Sequence, residues 1–314
     1  MNYKHDALLR LIAGVFMFVF CISTYGVSQD RGAEGWRMIA DGLSFPEGPA
    51  WDGAGNLYFS NAHGDWIGKV SDEEVDTFSV SRTQPFTFDK TNGLTFSRDD
   101  RLFACEYGIG MILRFDPDGS SEIYVSGYQG EPFNRPNDLA FDRSGNLWFT
   151  DPDSYDPRKP DGRLFMVEAG SRKVSLVRDS LSFPNGVAFS PDGEALFVCE
   201  SPRHRVLRFP VDRSASGLGN PSVFVELPGG DPDGIAFDRE GNLYVAHFGG
   251  GAVIQVDPLG TILQKFQTPG KKPSNVEFGG QDLRTLFITE DETNAVYKRE
   301  MKIPGFRLFH SPDK

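Results

Sequence analysis

The sequence predicts an all-β fold, a six-bladed β-propeller built from four-stranded antiparallel blades. The first observation is a hairpin pattern, clearest in RPNDLAFDRSGNLWFTD at 135–151, where turn residues precede and separate two apolar runs. The second observation is that this pattern occurs six times along the chain. The third is its period, because successive copies are offset by 45, 45, 48, 48 and 42 residues. A propeller blade repeats about every 40–50 residues.

The other five copies show the same order of turn, apolar strand, turn and apolar strand. They read FPEGPAWDGAGNLYFSN (45–61), TNGLTFSRDDRLFACE (91–106), FPNGVAFSPDGEALFVCE (183–200), DPDGIAFDREGNLYVAH (231–247) and PSNVEFGGQDLRTLFITE (273–290). Most copies continue into a third apolar run, and often into a fourth. These runs predict strands A, B, C and D in each blade.

The closure of the ring is predicted from the two ends of the repeat region. Little chain remains after the sixth copy for a good fourth strand, whereas one unassigned strand, Arg37–Ala40, precedes the first copy. We therefore expect Arg37–Ala40 to complete the last blade as its outer strand, which leaves no open sheet edge. Residues 306–309 are the alternative for that position.

The first 28 residues are predicted to lie outside the propeller. Lys4 and Arg10 precede an apolar run at 11–22, and small and polar residues follow to Ser28. This pattern is typical of a secretory signal peptide, with cleavage after Gly26 or Ser28. We therefore expect residues 29–314 to form one exported domain, periplasmic or secreted, without stable membrane insertion. The alternative is an N-terminal anchor that is not removed.

Composition and charge narrow the possible partners. The net charge of −12 argues against nucleic acid and anionic membrane surfaces, and it suits a protein that binds cations. Cys105 and Cys199 occupy the same place near the end of strand B, in blades two and four. Non-adjacent blades would hold their sulfur atoms too far apart to bridge, so we expect two small buried residues. The sequence does not predict the oligomeric state.

The residues that open strand A are the candidates for the chemistry. Strand A lines the channel of a propeller, so these six side chains should converge on one axis. Each is a carboxylate or a carboxamide: Glu47, Asn92, Asn137, Asn185, Asp233 and Asn275. Such oxygens, without Cys or His, suit Ca²⁺, Mg²⁺ or Mn²⁺. The alternative is that Asn and Asp simply favour turns, which explains Glu47 poorly.

At these residues the sequence resembles the gluconolactonase / senescence marker protein / luciferin-regenerating enzyme-like family of six-bladed propellers. The resemblance is carried by FPEGPAWD (45–52), RPNDLAFD (135–142), FPNGVAFSPDG (183–193) and DPDGIAFDREGNLYVA (231–246). It implies one catalytic divalent cation, calcium first with zinc, magnesium or manganese as alternatives, held by Glu47, Asn137, Asn185 and Asp233. It also implies that Arg135 contacts a substrate, and that Asn92 and Asn275 face the substrate or lie behind the ligands.

The activity implied by the resemblance is the hydrolysis of a small sugar-type lactone, with the cation polarising the carbonyl. Asp233 is then the candidate general base, or else only a ligand. Asp138 is a second candidate base, with a turn cap as its alternative role. The rival functions are an aryl-ester or phosphotriester hydrolase at the same metal, and a non-enzymatic secreted propeller stabilised by calcium. An inward Arg135 favours a polar sugar lactone, whereas a mostly aromatic, uncharged pocket favours the rival hydrolase.

Three long loops are expected at the mouth of the channel, where A strands begin and B strands end. They are residues 81–91, 127–135 and 151–162. Long loops on one rim predict a lid or substrate wall, with ordinary loop variation as the alternative. His247 ends a B strand on the same rim. A lone histidine is more often structural, so we assign it no catalytic role.

Overall fold

The computed structural model describes residues 33–212, 217–309 and 311, and it shows six blades of antiparallel strands around a central channel. Blade one contains β2 (Pro46–Trp51), β3 (Leu57–Asn61), β4 (Trp66–Ser71) and β5 (Glu74–Val80). Blade two contains β6 (Thr91–Phe96), β7 (Leu102–Glu106), β8 (Met111–Phe115) and β9 (Ser121–Val125). Blade three contains β10 (Leu139–Phe141), β11 (Leu147–Asp151), β12 (Gly162–Val167) and β13 (Val174–Leu181). The expected six-bladed fold is confirmed.

The second half of the chain repeats this arrangement. Blade four contains β14 (Pro184–Phe189), β15 (Ala195–Glu200), β16 (Arg205–Asp212), the short β17 (Gly217–Leu218) and β18 (Ser222–Glu226). Blade five contains β19 (Asp231–Phe237), β20 (Leu243–Phe248), β21 (Ala252–Val256) and β22 (Ile262–Gln267). Blade six contains β23 (Pro273–Gly279), β24 (Thr285–Glu290), β25 (Ala295–Glu300) and β1 (Arg37–Ala40). Three short 3₁₀ helices are Ala62–Gly64, Ser81–Thr83 and Ser201–Arg203.

The ring closes as expected, because β1 pairs antiparallel with β25 on the outer side of blade six. Residues 306–309 form no strand. The backbone N–H of Phe306 donates to the carbonyl oxygen of Phe237 in blade five, and Phe309 packs against Phe189 in blade four. This segment lines a small cavity in the channel instead of closing a sheet.

The core lies between the blades. Six clusters of buried apolar side chains occur among the described residues, and each combines side chains from two neighbouring blades. Cys105 and Cys199 belong to two of these clusters and are both free and buried, as expected. Because apolar burial is the main favourable term in folding, packing between blades holds the ring together.

Buried acids at the ends of four B strands fix the loops that lead into the A strands. Glu106 accepts hydrogen bonds from the N–H groups of Asp89 and Lys90, and Asp151 accepts one from Arg135. Glu200 and Glu290 accept equivalent bonds from the loop residues Ser182 and Lys272. These bonds tie each loop to the end of a strand at the mouth of the channel.

The described part of the chain, residues 33–212, 217–309 and 311, contains no helix with the length and apolarity needed to cross a membrane. The expected signal peptide at 1–28 lies outside the described residues.

Candidate active site in the central channel

The innermost strands of most blades contain a β-bulge next to the site residue. The pairing of the inner strand shifts register next to the site residue in five blades: between Glu47 and Ala50, Thr91 and Leu94, Pro184 and Val187, Pro232 and Ile235, and Pro273 and Asn275. Such bulges re-aim side chains away from regular strand alternation. The pairing of β10 with β11 in blade three has no such shift, so the bulges are a feature of the other five blades.

Glycines allow the inner strands to approach each other at this level. Gly186 follows Asn185, and a Cβ added to Gly186 would lie 2.2 Å from the carbonyl oxygen of Asp233 in the next blade. A Cβ added to Gly48 would lie at the same distance from the carbonyl oxygen of Asn92. Only a residue without a side chain fits such a close approach. The glycines therefore help to bring the ring of site residues together.

In blade three, Asp138 occupies the position that Gly48 and Gly186 occupy in blades one and four, directly after the site residue. Its carboxylate accepts hydrogen bonds from the N–H groups of Leu139, at 2.9 Å, and of Val187 in blade four, at 3.1 Å. Burial raises the pKa of Asp138 to about 7, although both hydrogen bonds oppose this shift. These contacts match the structural alternative, a cap that here also joins two blades.

Five of the six predicted ring residues line one cavity of about 250 Å³. They are Glu47, Asn92, Asn137, Asn185 and Asp233. The sixth, Asn275, lines a separate cavity of about 40 Å³ with Asp138 and Glu277. Its Oδ1 accepts a hydrogen bond from the N–H of Val276 at 2.8 Å. The structure therefore places Asn275 away from the larger cavity.

The floor of the larger cavity carries two buried acids. Glu47 and Asp233 are 4% and 9% exposed. Burial is the main cause that raises the pKa of both carboxyl groups. The next cause is the nearby charge of Asp233 in the case of Glu47, and that of Asp291 in the case of Asp233. Buried like charges cost free energy unless a cation balances them. This electrostatic strain is the structural observation that fits a bound cation.

The donor atoms also fit a hard cation. Asn185 donates to Asp233 and also to the hydroxyl of Ser201, at 3.2 Å, so both bonds use its N–H₂ group. Asn137 has no side-chain hydrogen bond among the described residues. The set therefore offers two carboxylates and two amides, which suits calcium or magnesium. Clusters of three or more His, Cys, Asp or Glu side chains able to hold a metal are absent from the described residues.

Asp291 is a site residue that the sequence analysis missed. Both of its carboxylate oxygens are buried without a hydrogen-bond partner among the described residues. Burial and then Glu290 raise its pKa to about 8. The end of strand B lines the cavity in four other blades: Ala62, Tyr107 and Ser201 directly follow the strand, and Phe248 is its last residue. That repeat position is the signal that could have found Asp291.

Aromatic side chains form the wall of the cavity: Phe45, Tyr107, Tyr155, Phe183 and Phe248, with His63 stacked 4.7 Å from Phe45. Phe45 and Phe183 have φ angles of 57° and 43°. Positive φ is unusual for bulky residues and points to a functional constraint. The sequence signal was the repeated F-P-x-G motif at 45–48 and 183–186.

The three long loops expected at the rim differ in how they contribute to the cavity wall. Tyr155, from the loop at 151–162, lines the cavity, and its hydroxyl donates to Asp231. Asp231 also lies 2.9 Å from Nδ1 of His204. Phe88 and Phe133, from the other two loops, are buried in the core between blades. The loop at 81–91 contributes Lys90 and Thr91 instead.

Arg135 and His247 take different positions around the mouth. Arg135 is exposed, and its guanidinium lies 5.8 Å from the ring centroid of Tyr107, which lines the cavity. His247 is buried, with Nε2 3.0 Å from the carbonyl oxygen of Leu227. Arg135 therefore lies next to a residue of the cavity wall but does not line the cavity itself, whereas His247 has a structural contact.

Comparison with known proteins identifies the family. A sequence model described as the SMP-30/Gluconolactonase/LRE-like region matches residues 45–291. A gluconolactonase of Zymomonas mobilis is 31% identical over 291 residues, covering 81% of this chain and 78% of its own. A 6-deoxy-6-sulfogluconolactonase of Pseudomonas putida is 36% identical over 172 residues, covering 52% and 57%.

The solved structures agree with this match. A gluconolactonase from Xanthomonas campestris has 30% identity and a TM-score of 0.74, covering 86% of this chain and 89% of its own. The sequence match and the shared fold extend over the whole ring of candidate site residues from blade one to blade five. This protein therefore belongs to the SMP-30/gluconolactonase/LRE-like family.

Proposed function

We propose that this protein hydrolyses small sugar-type lactones and uses one divalent cation held in the central channel. The observation that carries the proposal is the convergence of Glu47, Asn137, Asn185 and Asp233, from four blades, on one cavity. Two of its relatives are named for sugar-lactone hydrolysis. The fold alone does not determine activity, so the residues of this site are what support the proposed reaction.

The proposed ligands are Glu47, Asn137, Asn185 and Asp233. Calcium is the first candidate because all donors are oxygen atoms, with magnesium, manganese and zinc as the alternatives. When bound, the cation supplies Lewis acidity that polarises the lactone carbonyl and stabilises the oxyanion of the transition state. The buried acids of the floor would also lose their mutual repulsion.

The protein's own groups position the water and the lactone. Asp233, held by the N–H₂ group of Asn185, is the proposed acceptor for the proton of the attacking water. The water oxygen would bond to the carbonyl carbon, the ring C–O bond would break, and the leaving alkoxide would take the proton that Asp233 received from the water. Asn92 lines the same cavity and can bond a substrate hydroxyl. Arg135 lies at the entrance to receive the polar substituents.

The test is a panel of gluconolactone, other aldonolactones, an aryl ester and a phosphotriester. Each substrate is assayed after EDTA treatment and again with Ca²⁺, Zn²⁺, Mg²⁺ or Mn²⁺ restored. Cation-restored lactone hydrolysis supports the proposal and names the ion. Full lactone hydrolysis in EDTA contradicts the role of the cation. The absence of turnover with every lactone contradicts the proposed substrate.

An aryl-ester or phosphotriester hydrolase remains the second candidate. The observation in its favour is the aromatic wall formed by Phe45, Tyr155, Phe183 and Phe248, which suits a flat or apolar substrate group. Lys90 and Asp231 also line the cavity, so the wall is not uncharged. Turnover of only the aryl ester or the phosphotriester in the panel would favour this candidate.

Export through residues 1–28 is part of the proposal, and it rests on the charged, apolar and small-residue order of that segment. We expect protein recovered from the periplasm or the medium to begin after Gly26 or Ser28. N-terminal sequencing measures this directly. A chain that keeps its apolar segment and sediments with membranes would contradict export of a cleaved domain.

A further inference from the structure

We infer that the mouth of this cavity selects lactones that carry an anionic substituent, such as a phosphate or a sulfonate, remote from the reacting carbonyl. This inference rests on the proposed function and narrows its substrate class. Its basis is a set of three cationic side chains at the mouth, Lys90, Arg135 and Lys272, in a chain whose net charge is −12. We call this set the cationic rim.

One member of the cationic rim lines the cavity, and the other two contact aromatic residues that line it. Lys90 lines it, between Thr91 and the aromatic wall. The guanidinium of Arg135 lies 5.8 Å from the ring centroid of Tyr107, and the ammonium of Lys272 lies 5.7 Å from that of Phe248. Since Tyr107 and Phe248 both line the cavity, these two charges lie just behind its wall. Cation–π contacts of this kind hold a charge over a ring without neutralising it.

The backbone beneath each cation is held by a buried acid. The N–H groups of Lys90, Arg135 and Lys272 donate to Glu106, Asp151 and Glu290, at 2.8, 2.8 and 2.7 Å. The three cations thus share one structural device in blades two, three and six. These bonds fix the backbone position from which each cationic side chain extends.

The cationic rim retains charge for a ligand. Within the described residues, Arg135 and Lys272 form no ion pair within 4 Å, and Lys90 has only Asp89, at 3.8 Å. Lys272 also acts electrostatically on the carboxyl of Asp291, whose pKa it lowers, so part of its charge is balanced within the protein. Asp89 and Lys90 are both substantially exposed, so that pair is weak. An arginine fork matches carboxylate and phosphate oxygens, and a lysine supplies a point charge.

The remaining polar groups of the wall are compatible with an anion. Asp231 also lines the cavity, but its two oxygens are engaged by Tyr155 and His204.

The experiment compares glucono-δ-lactone with its 6-phosphate and 6-sulfonate derivatives, which share the reacting ring. We expect kcat/KM to be about tenfold or more higher for both anionic lactones at low ionic strength. This advantage should shrink in about 0.5 M NaCl, because salt screens exposed charges. Equal or lower values for both anionic lactones overturn the inference, while turnover of the neutral lactone leaves the proposed function standing.

Single lysine substitutions test whether the preference for anionic lactones depends on the cationic rim. In Lys272→Met and Lys90→Met the ratio of the anionic to the neutral kcat/KM should fall several-fold. The matched control is Lys265→Met, which removes an exposed lysine from the outer strand of blade five and should leave the ratio unchanged. An equal loss in all three variants would indicate a general change of net charge and would overturn the assignment to the cationic rim.

A binding measurement separates this inference from the proposed function. Calorimetry compares gluconate with 6-phosphogluconate on the wild-type protein and on Lys272→Met. Tighter binding of 6-phosphogluconate that is lost in Lys272→Met supports the cationic rim, even if no lactone is turned over. Equal binding of the two sugar acids overturns it, whatever the hydrolysis assays show.

Discussion

Glu47 and Asp233, which belong to blades one and five, influence each other across the channel. Burial raises the pKa of the Glu47 carboxyl, and the carboxylate of Asp233 raises it further. Both side chains line the same cavity, although most of the chain separates them in sequence. Two buried acids that face each other are unfavourable by themselves, so their position favours a site built for a cation.

Replacing either acid tests the site. Glu47→Gln and Asp233→Asn should each lower kcat/KM by about 100-fold or more, because each removes a charged ligand and a group that orients the water. Circular dichroism should be unchanged, since both substitutions keep the side-chain shape. Asp76→Asn, on the exposed outer strand of blade one, is the control. Full turnover in both site variants would refute the proposed ligand set.

Cation removal should be visible in stability as well as in activity. A cation that binds only the folded protein adds about 2.7 kcal/mol to the free energy of unfolding at 100 times its Kd. We therefore expect EDTA to lower Tm and Ca²⁺ to restore it, as measured by differential scanning calorimetry. The double variant Glu47→Gln/Asp233→Asn should lose this response. An identical Tm with and without every cation tested would contradict the proposal.

Gly186→Ala tests the close approach of the inner strands. Its Cβ would lie 2.2 Å from the backbone carbonyl oxygen of Asp233, which cannot move without its strand. We expect a loss of about 1–3 kcal/mol in the free energy of unfolding, measured in urea, together with lower activity. The control is Gly219→Ala, where the nearest atom lies 3.4 Å away. Equal stability of the two variants would show that the ring tolerates a wider spacing.

Glu277 provides a prediction for pH. Burial raises its pKa from the ordinary 4.5 to about 8, with a smaller contribution from Asp138. Between these values the folded protein holds a proton that the unfolded chain releases, so stability falls as pH rises from 4.5 to 8. Glu277→Gln removes this loss.

The free energy of unfolding of Glu277→Gln should therefore exceed that of the wild type by an amount that grows from pH 4.5 to 8 and stays constant above pH 8. We expect about 2–4 kcal/mol in urea unfolding at pH 9 in EDTA, and little difference at pH 5. Glu74→Gln on exposed β5 is the matched control and should follow the wild type. Parallel stability curves for the wild type and Glu277→Gln would show that Glu277 ionises normally.

The fold could be predicted because its signal is repeated and local. The spacing of Glu47, Asn92, Asn137, Asn185 and Asp233 follows the blade period, and strands such as Leu139–Phe141 and Arg37–Ala40 have the expected bounds. The ring geometry then places these five side chains on one cavity. Tyr155 was harder to predict as part of the wall, because it lies in a long loop that the other copies lack.

Hydrophobic alternation, turn residues and a period of 42–48 residues determined the blades, the closing strand and the oxygen-rich ring, because each depends on contacts that the repeat itself encodes. Only the tertiary structure decided the level of each side chain along the channel. It placed Asn275 in a separate cavity, engaged Asp138 with the backbone of blade four, and placed Asp291 near enough to raise the pKa of Asp233. The physical reason is that glycine contacts and burial depend on neighbouring blades, whose contacts the local sequence does not encode.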